Sequence, residues 1–234
     1  MRLTGKTALV TGGTGALGHV VAERFLQEGA KVATSYLFED ELKRLSEGFR
    51  KSVFIVRADV THDEDVIALF HQVNNKFGHV DILINLVGGF LPTTRVEDVT
   101  TKDWDQMLNI NLRSMFLCTR QFLLSLNASP YGRIISMAAM PALRPVAGRG
   151  PYAVSKAGVV MLTQVLGEEL KGTGITANAI APSVLQTQAN IASMSGGGTS
   201  KWVSPEDVAE TMLLLCSDKG QSINGVTIPM FGGV

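Results

Sequence analysis

The sequence predicts an α/β protein: a doubly wound, parallel, seven-stranded sheet with helices on both faces. Three features predict it. Short apolar runs alternate along the chain with longer stretches of helical period, the pattern of a sheet buried on both sides. A glycine-rich turn, Gly12-Gly13-Thr14-Gly15-Ala16-Leu17-Gly18, joins the first apolar run to the first helical stretch. No charge run, proline-rich linker or composition break divides the 234 residues, 45% of which are apolar. One core therefore suffices, and a single domain over residues 1–234 is expected.

Taken in order, the strands are expected at Thr7–Val10, Lys31–Tyr36, Val53–Ala58, Asp81–Asn85, Arg133–Met137, Thr176–Ile180 and Val226–Met230. Between them Leu17, Val20, Val21 and Phe25 follow helical spacing, as do Val66, Leu69, Phe70 and Val73. A later helix start is marked by Ser204 as cap, Pro205 at the first helical position, and Glu206 and Asp207 facing the positive end of the dipole. The low-complexity patch Ser195-Gly196-Gly197-Gly198-Thr199-Ser200 is expected to be mobile.

Charge and composition exclude several classes of function. The 21 basic and 21 acidic residues cancel and are mixed along the chain, which leaves no electrostatic footprint for nucleic acid or an anionic membrane. No apolar run reaches the roughly 18 residues of a membrane span, and the first residues lead straight into a strand. A soluble protein is expected. The two cysteines, Cys118 and Cys216, fall in apolar helical patterns away from any metal-ligand spacing. Buried thiols in a reducing cytoplasm, and no metal, are the expectation.

The glycine turn carries the first chemistry. Between a strand and a helix, glycines permit a tight turn and close backbone approach, and the helix N-terminus offers unpaired N–H groups to a pyrophosphate. Gly12, Thr14, Gly15, Ala16, Leu17 and Gly18 are therefore candidate dinucleotide ligands. After the second strand an acidic residue would favour NAD and an arginine NADP. Tyr36 and Leu37 stand there, with Glu39 and Asp40 a little later, so NAD and NADP both stay open.

The second chemistry lies in Tyr152-Ala153-Val154-Ser155-Lys156. Four residues make about one helical turn, so on a helix the phenol and the ammonium share a face. At about 4 Å and an effective dielectric of about 20, their Coulomb energy is roughly 4 kcal/mol. That is enough to bring a phenol of pKa near 10 towards neutrality as a general acid.

With the glycine turn, the strand order and the Tyr152/Lys156 pair, the chain resembles the short-chain dehydrogenase/reductase family over essentially its whole length. The resemblance implies the Rossmann form of the doubly wound sheet and an NAD or NADP cofactor. Asp59-Val60 looks like the family's adenine contact, and Asn85 and Gly88 of Asn85-Leu86-Val87-Gly88 like its segment beneath the cofactor. Asn111 falls where the fourth catalytic residue bends a helix and holds a relay water, with Asn109 as a competitor. Pro182-Ser183-Val184-Leu185-Gln186-Thr187 follows the pattern whose valine backbone and threonine hydroxyl hold the nicotinamide carboxamide. Ala16 departs from the usual glycine, and Ser183 from another.

One departure bears on substrate. The family's serine thirteen residues before the tyrosine is here Ala139. Ser136 is three residues earlier, on the opposite face of a strand, so it does not stand in. A lost donor to developing negative charge costs about 2.7–4 kcal/mol in comparable sites. Dihydropteridine reductase, within the family, also has alanine there; residues 12–18, Val87-Gly88-Gly89-Phe90 and Ala189 to Val203, with Met194 and Trp202, are similar to its glycine loop, strand end and substrate flap. Asn111 and Tyr36 depart from it. The expectation is an already electrophilic carbonyl, quinonoid or imine substrate in a flat slot lined by Ala139, Phe90, Met140, Met194 and Trp202, under a flexible loop at about 187–203.

The mechanism expected is hydride transfer from NAD(P)H with Tyr152 as acid, Lys156 lowering its pKa and holding the ribose, and Asn111 ordering the relay water. The competing class is a binding protein of the same fold, an NAD(P) sensor or scaffold whose catalysis decayed at Ala139. The resemblance also implies a homodimer or homotetramer formed around Trp104–Leu126, Tyr152–Leu170 and Val226–Val234.

Overall fold

The computed structural model describes residues 1–126, 129–193 and 199–234. Strands β1 (Thr7–Thr11), β2 (Lys31–Tyr36), β3 (Phe54–Arg57), β4 (Ile82–Asn85), β5 (Gly132–Met137), β6 (Ile175–Pro182) and β7 (Thr227–Met230) form one parallel sheet in the order β3-β2-β1-β4-β5-β6-β7. The order reverses between β1 and β4, which opens a crevice at their C-terminal ends where open α/β sheets bind ligands. Each strand matches its expected position to within a residue or two. The largest extension is β6, which runs on to Pro182 because that residue still pairs with Met230.

The helices are α1 (Ala16–Gln27), α2 (Glu39–Lys43), α3 (Glu47–Ser52), α4 (Asp63–Phe77), α5 (Thr101–Leu108), α6 (Ser114–Ser125), α7 (Gly150–Glu169), α8 (Gln188–Ser193) and α9 (Pro205–Cys216). Strand residues alternate between two cores, as a period of two demands. Ala8, Val10, Ile82, Ile84 and Ile135 pack with α1 and α9 on one face; Leu9, Leu83 and Ile134 pack with α4 and α6 on the other. Both faces are apolar, which is why the strands read as continuous hydrophobic runs.

Two local helix features shape the crevice. Pro151 sits in the first turn of α7, where its missing N–H is no loss, and this start sets Tyr152 at the mouth of the crevice. Between α5 and α6 the helix widens into a π turn over Asn109–Arg113. Such a bulge turns its side chains away from the regular face and is frequent at functional sites.

The cap expected at Ser204 is present: its hydroxyl accepts from the Asp207 N–H at 3.0 Å. Ser204→Ala should lower the unfolding free energy by about 1 kcal/mol in a urea titration. An unchanged midpoint would show that the helix start is held by packing alone.

Candidate active site

The crevice begins at the glycine turn. Gly12 has φ +69°, and a Cβ on Gly18 would lie 2.3 Å from the Gly12 carbonyl oxygen; only glycine fits where α1 comes this close to the turn. Gly15 caps α1 without a side-chain bond, and no acidic residue occupies the helix's first turn. The first N–H groups are thus left open to an anion. Next to them a cleft of about 470 Å³ is lined by Gly12, Gly15, Tyr36, Asp59, Val60 and Gly88, among others. This cradle fits the pyrophosphate and adenosine of a dinucleotide.

Within it, the Thr14 hydroxyl bonds the Glu41 carboxylate, which also accepts the Leu37 and Phe38 amides at 3.1 and 2.9 Å. Burial pushes the Glu41 carboxyl up, but these donors outweigh it and hold the group below its ordinary value. Glu41 was not anticipated from the sequence; its place three residues after Phe38, at the start of a short helix, is the signal that it would fold back. Tyr36 donates its hydroxyl to Glu39 at 3.0 Å, while Asp40 pairs with Lys43 in solvent. Asp59 is likewise held ionised: burial raises it, and the Thr61 hydroxyl and amide and His62 together lower it further. Ala16 is exposed at the helix start, and Leu17 packs towards the first core.

At the other end, a cleft of about 360 Å³ is lined by Gly88, Phe90, Ala139, Met140, Tyr152, Lys156, Pro182 and Val184, among others. Asn111, from the π turn, is 1% exposed. Its Oδ1 accepts the Gly89 N–H at 2.9 Å, and its Nδ2 donates to the Gly89 carbonyl at 3.0 Å and to Ser155 Oγ at 3.1 Å. The side chain is thereby committed to the floor of the cleft. Asn109, by contrast, lines the adenosine-side cleft.

Other expected ligands lie beneath or beside the lining. Asn85 donates to Thr119 and Ser136 at 3.3 and 3.2 Å and is buried under the strand ends. That bond also accounts for Ser136, which is buried and does not line the cleft with Ala139. Thr187 spends its hydroxyl on the Asn190 amide at the start of α8, and Trp202 follows a 3₁₀ turn beside Gly232 at the C-terminal segment; neither lines the cleft. Met194 falls outside the described residues.

The electrostatics around Tyr152 differ from the expectation. Lys156 is 5% exposed and donates to the Met137 carbonyl at 2.7 Å; burial lowers its ammonium to about 8. Burial also pushes the Tyr152 phenol up, and the cation that opposes this is Arg149, not Lys156. Sequence spacing correctly put Tyr152 and Lys156 in one cleft, but it carried no sign of the Met137 bond that takes up the ammonium. Arg149 was missed because it belongs to no motif.

Along its whole length the chain is similar to known proteins. A family model described as enoyl-(acyl carrier protein) reductase matches residues 13–234. A 3-oxoacyl-[acyl-carrier-protein] reductase of Thermotoga maritima is 29% identical, with 100% of this chain and 99% of that protein covered. 3beta-hydroxysteroid dehydrogenase 1 of Eggerthella lenta is 32% identical, with 99% of this chain and 94% of that protein covered. Among solved structures, a short chain dehydrogenase from Burkholderia cenocepacia in complex with NADP superposes with a TM-score of 0.89 at 31% identity, covering 100% of this chain and 99% of its own.

The buried ammonium has a measurable consequence. The folded Lys156 titrates at about 8 against 10.5 for the free group, so between those values the unfolded chain binds the extra proton, and folding gains stability as pH rises. Measured by urea titration, the stability of the parent relative to Lys156→Met should increase from pH 8 to 10.5. A pH-independent difference would contradict the burial of a charged ammonium.

Proposed function

The chain belongs to the short-chain dehydrogenase/reductase family, and from that premise we propose that it is an NAD(P)-dependent reductase of small electrophilic carbonyl, quinonoid or imine substrates, with Tyr152 as proton donor. The single observation that carries this reading is the cleft in which Tyr152 and Lys156 meet Ala139, where the usual hydroxyl donor is missing. The open N–H groups at the start of α1 and the Gly12–Gly18 approach support a bound dinucleotide.

When bound, the reduced nicotinamide supplies the hydride. The chain's residues supply the rest. Tyr152 gives a proton to the substrate atom that becomes electron-rich as hydride arrives at its neighbour. Lys156, adjacent to Gly88 and tied to Met137, holds the nicotinamide ribose. Asn111 fixes Gly89 and Ser155 and so sets the floor against the α7 residues; a relay water beside it returns the proton to Tyr152. Pro182 and Val184, which line the cleft, would flank the nicotinamide. Phe90 and Met140 offer apolar faces to a flat substrate.

Ala139 selects the substrate by what it cannot do. With no side-chain donor there, an unactivated ketone lacks about 2.7–4 kcal/mol of stabilisation, whereas a quinonoid ring or a dicarbonyl needs less polarisation. A quinonoid pterin belongs in this class, which is where the likeness to dihydropteridine reductase enters. Pairs or tetramers form through exposed apolar residues such as Phe116 on α6 and Val154 and Met161 on α7. The free, buried Cys118 and Cys216 suit a reducing cytoplasm.

Loss of reduced-nicotinamide absorbance should be fast with a dicarbonyl, quinone or quinonoid pterin and slow with simple ketones, and Ala139→Ser should raise simple-ketone turnover at least about tenfold. Good ketone turnover by the parent, unimproved by the serine, would overturn the substrate class. Tyr152→Phe should keep dinucleotide affinity while losing about 10²–10⁴ of turnover. Dinucleotide binding with no turnover of any probe would favour the sensor reading instead.

A further inference from the structure

Tyr152 stands between two hollows, and one other residue shares both. The first is the cleft with Ala139 and Lys156; the second is a cavity of about 230 Å³ walled by Leu91, Pro92, Val99 and Pro151, with Asp103 at its edge. Arg149 lines each of them alongside Tyr152. Its backbone immediately precedes α7 and bridges to Thr94. Its Nη1 donates to the Leu91 carbonyl at 2.8 Å, and its guanidinium lies 5.6 Å from the Phe90 ring centre.

These contacts hold the side chain but do not neutralise it. Among the described residues Arg149 has no carboxylate within ion-pair distance. A partly buried cation without a counter-charge is costly to keep, and such groups cluster where charge develops during a reaction. The other ionisable groups around Tyr152 are few. Lys156, on the same helix, is bonded to Met137; Asp103, from α5, faces the second cavity. Residues 86–92, 137–142 and 182–190 contribute none.

We propose that Arg149 is a positioning residue that stabilises negative charge on the Tyr152 oxygen as its proton leaves, electrostatic help that the missing hydroxyl at position 139 cannot give. The inference rests on Tyr152 being the acid. The step balances simply: the Tyr152 O–H bond breaks, the proton goes to the substrate, and the phenolate shares its two hollows with a guanidinium held by Leu91 until it is re-protonated. The guanidinium stays charged at any working pH, so the help does not fade. The direction of the Tyr152 shift agrees, since Arg149 is the cation that pulls against burial there.

The test reads Tyr152 directly, without substrate or cofactor. Tyrosinate absorbance is titrated in the full chain and in the same protein carrying Tyr152→Phe, so that the difference isolates Tyr152 from Tyr36 and Tyr131. Arg149→Gln should move this difference titration to higher pH, with about tenfold less phenolate at a given pH, and lower the dicarbonyl rate at neutral pH by about the same factor. Arg149→Lys, whose ammonium is charged at neutral pH but loses its proton in the range where the phenol titrates, should restore most of the neutral-pH rate and little of the titration. Arg149→Met, which keeps packing over Phe90, should behave like Arg149→Gln and serves if that variant does not fold. A titration unmoved in Arg149→Gln or Arg149→Met, or a neutral-pH rate as low in Arg149→Lys as in Arg149→Gln, would overturn the proposal. Full turnover in Tyr152→Phe would instead sink the acid reading, with the titration result still standing.

Discussion

The site depends on one side chain, Asn111, which ties three elements together. From the π turn between α5 and α6 it bonds both the N–H and the carbonyl of Gly89, just past β4, and reaches Ser155 on α7. Ser155 in turn donates to the Tyr152 carbonyl at 2.8 Å. A buried amide that satisfies two backbone groups and a hydroxyl is costly to disturb, because each orphaned partner would lose its full solvation. The fit leaves no slack: a Cβ on Gly88 would lie 2.6 Å from Asn111 Oδ1 and 3.2 Å from Lys156 Nζ. The floor of the cleft and the helix bearing Tyr152 are thus held in one register.

That clamp explains why the crevice can keep a lysine almost fully buried. The ammonium is accepted by the Met137 carbonyl at the end of β5, and the strand order places that carbonyl beside the switch point where a dinucleotide would lie. Two strand ends, one π turn and one helix meet there. Charge is confined to the faces that need it: open N–H groups at the pyrophosphate end, an ionised Glu41 at the adenosine end, and Lys156 and Arg149 around the phenol.

Much of this was legible in the chain. The apolar strand runs, the glycine turn and the Ser204 helix start are local signals, and local signals survive folding. Tyr152 and Lys156 are legible for the same reason, since their spacing is a helix property. What was not legible depends on contacts between distant segments. The Lys156 bond to Met137 spans nineteen residues, the Asn85 bond to Ser136 spans fifty-one, and the meeting of Arg149 with Leu91 spans fifty-eight. No motif records them. Trp202 and Thr187 show the converse: residue type suggested a place in the cleft, but a 3₁₀ turn and a helix cap claimed them.

A cleft built this way should move a hydride and a proton to one substrate together. Incubating the protein with reduced dinucleotide deuterated at the transferable nicotinamide position, and a dicarbonyl acceptor, tests that most directly by mass spectrometry of the product. One deuterium is expected on the former carbonyl carbon, and none when the dinucleotide is omitted or oxidised. Product without deuterium, or bound dinucleotide with no labelled product across the electrophilic acceptors, would contradict it.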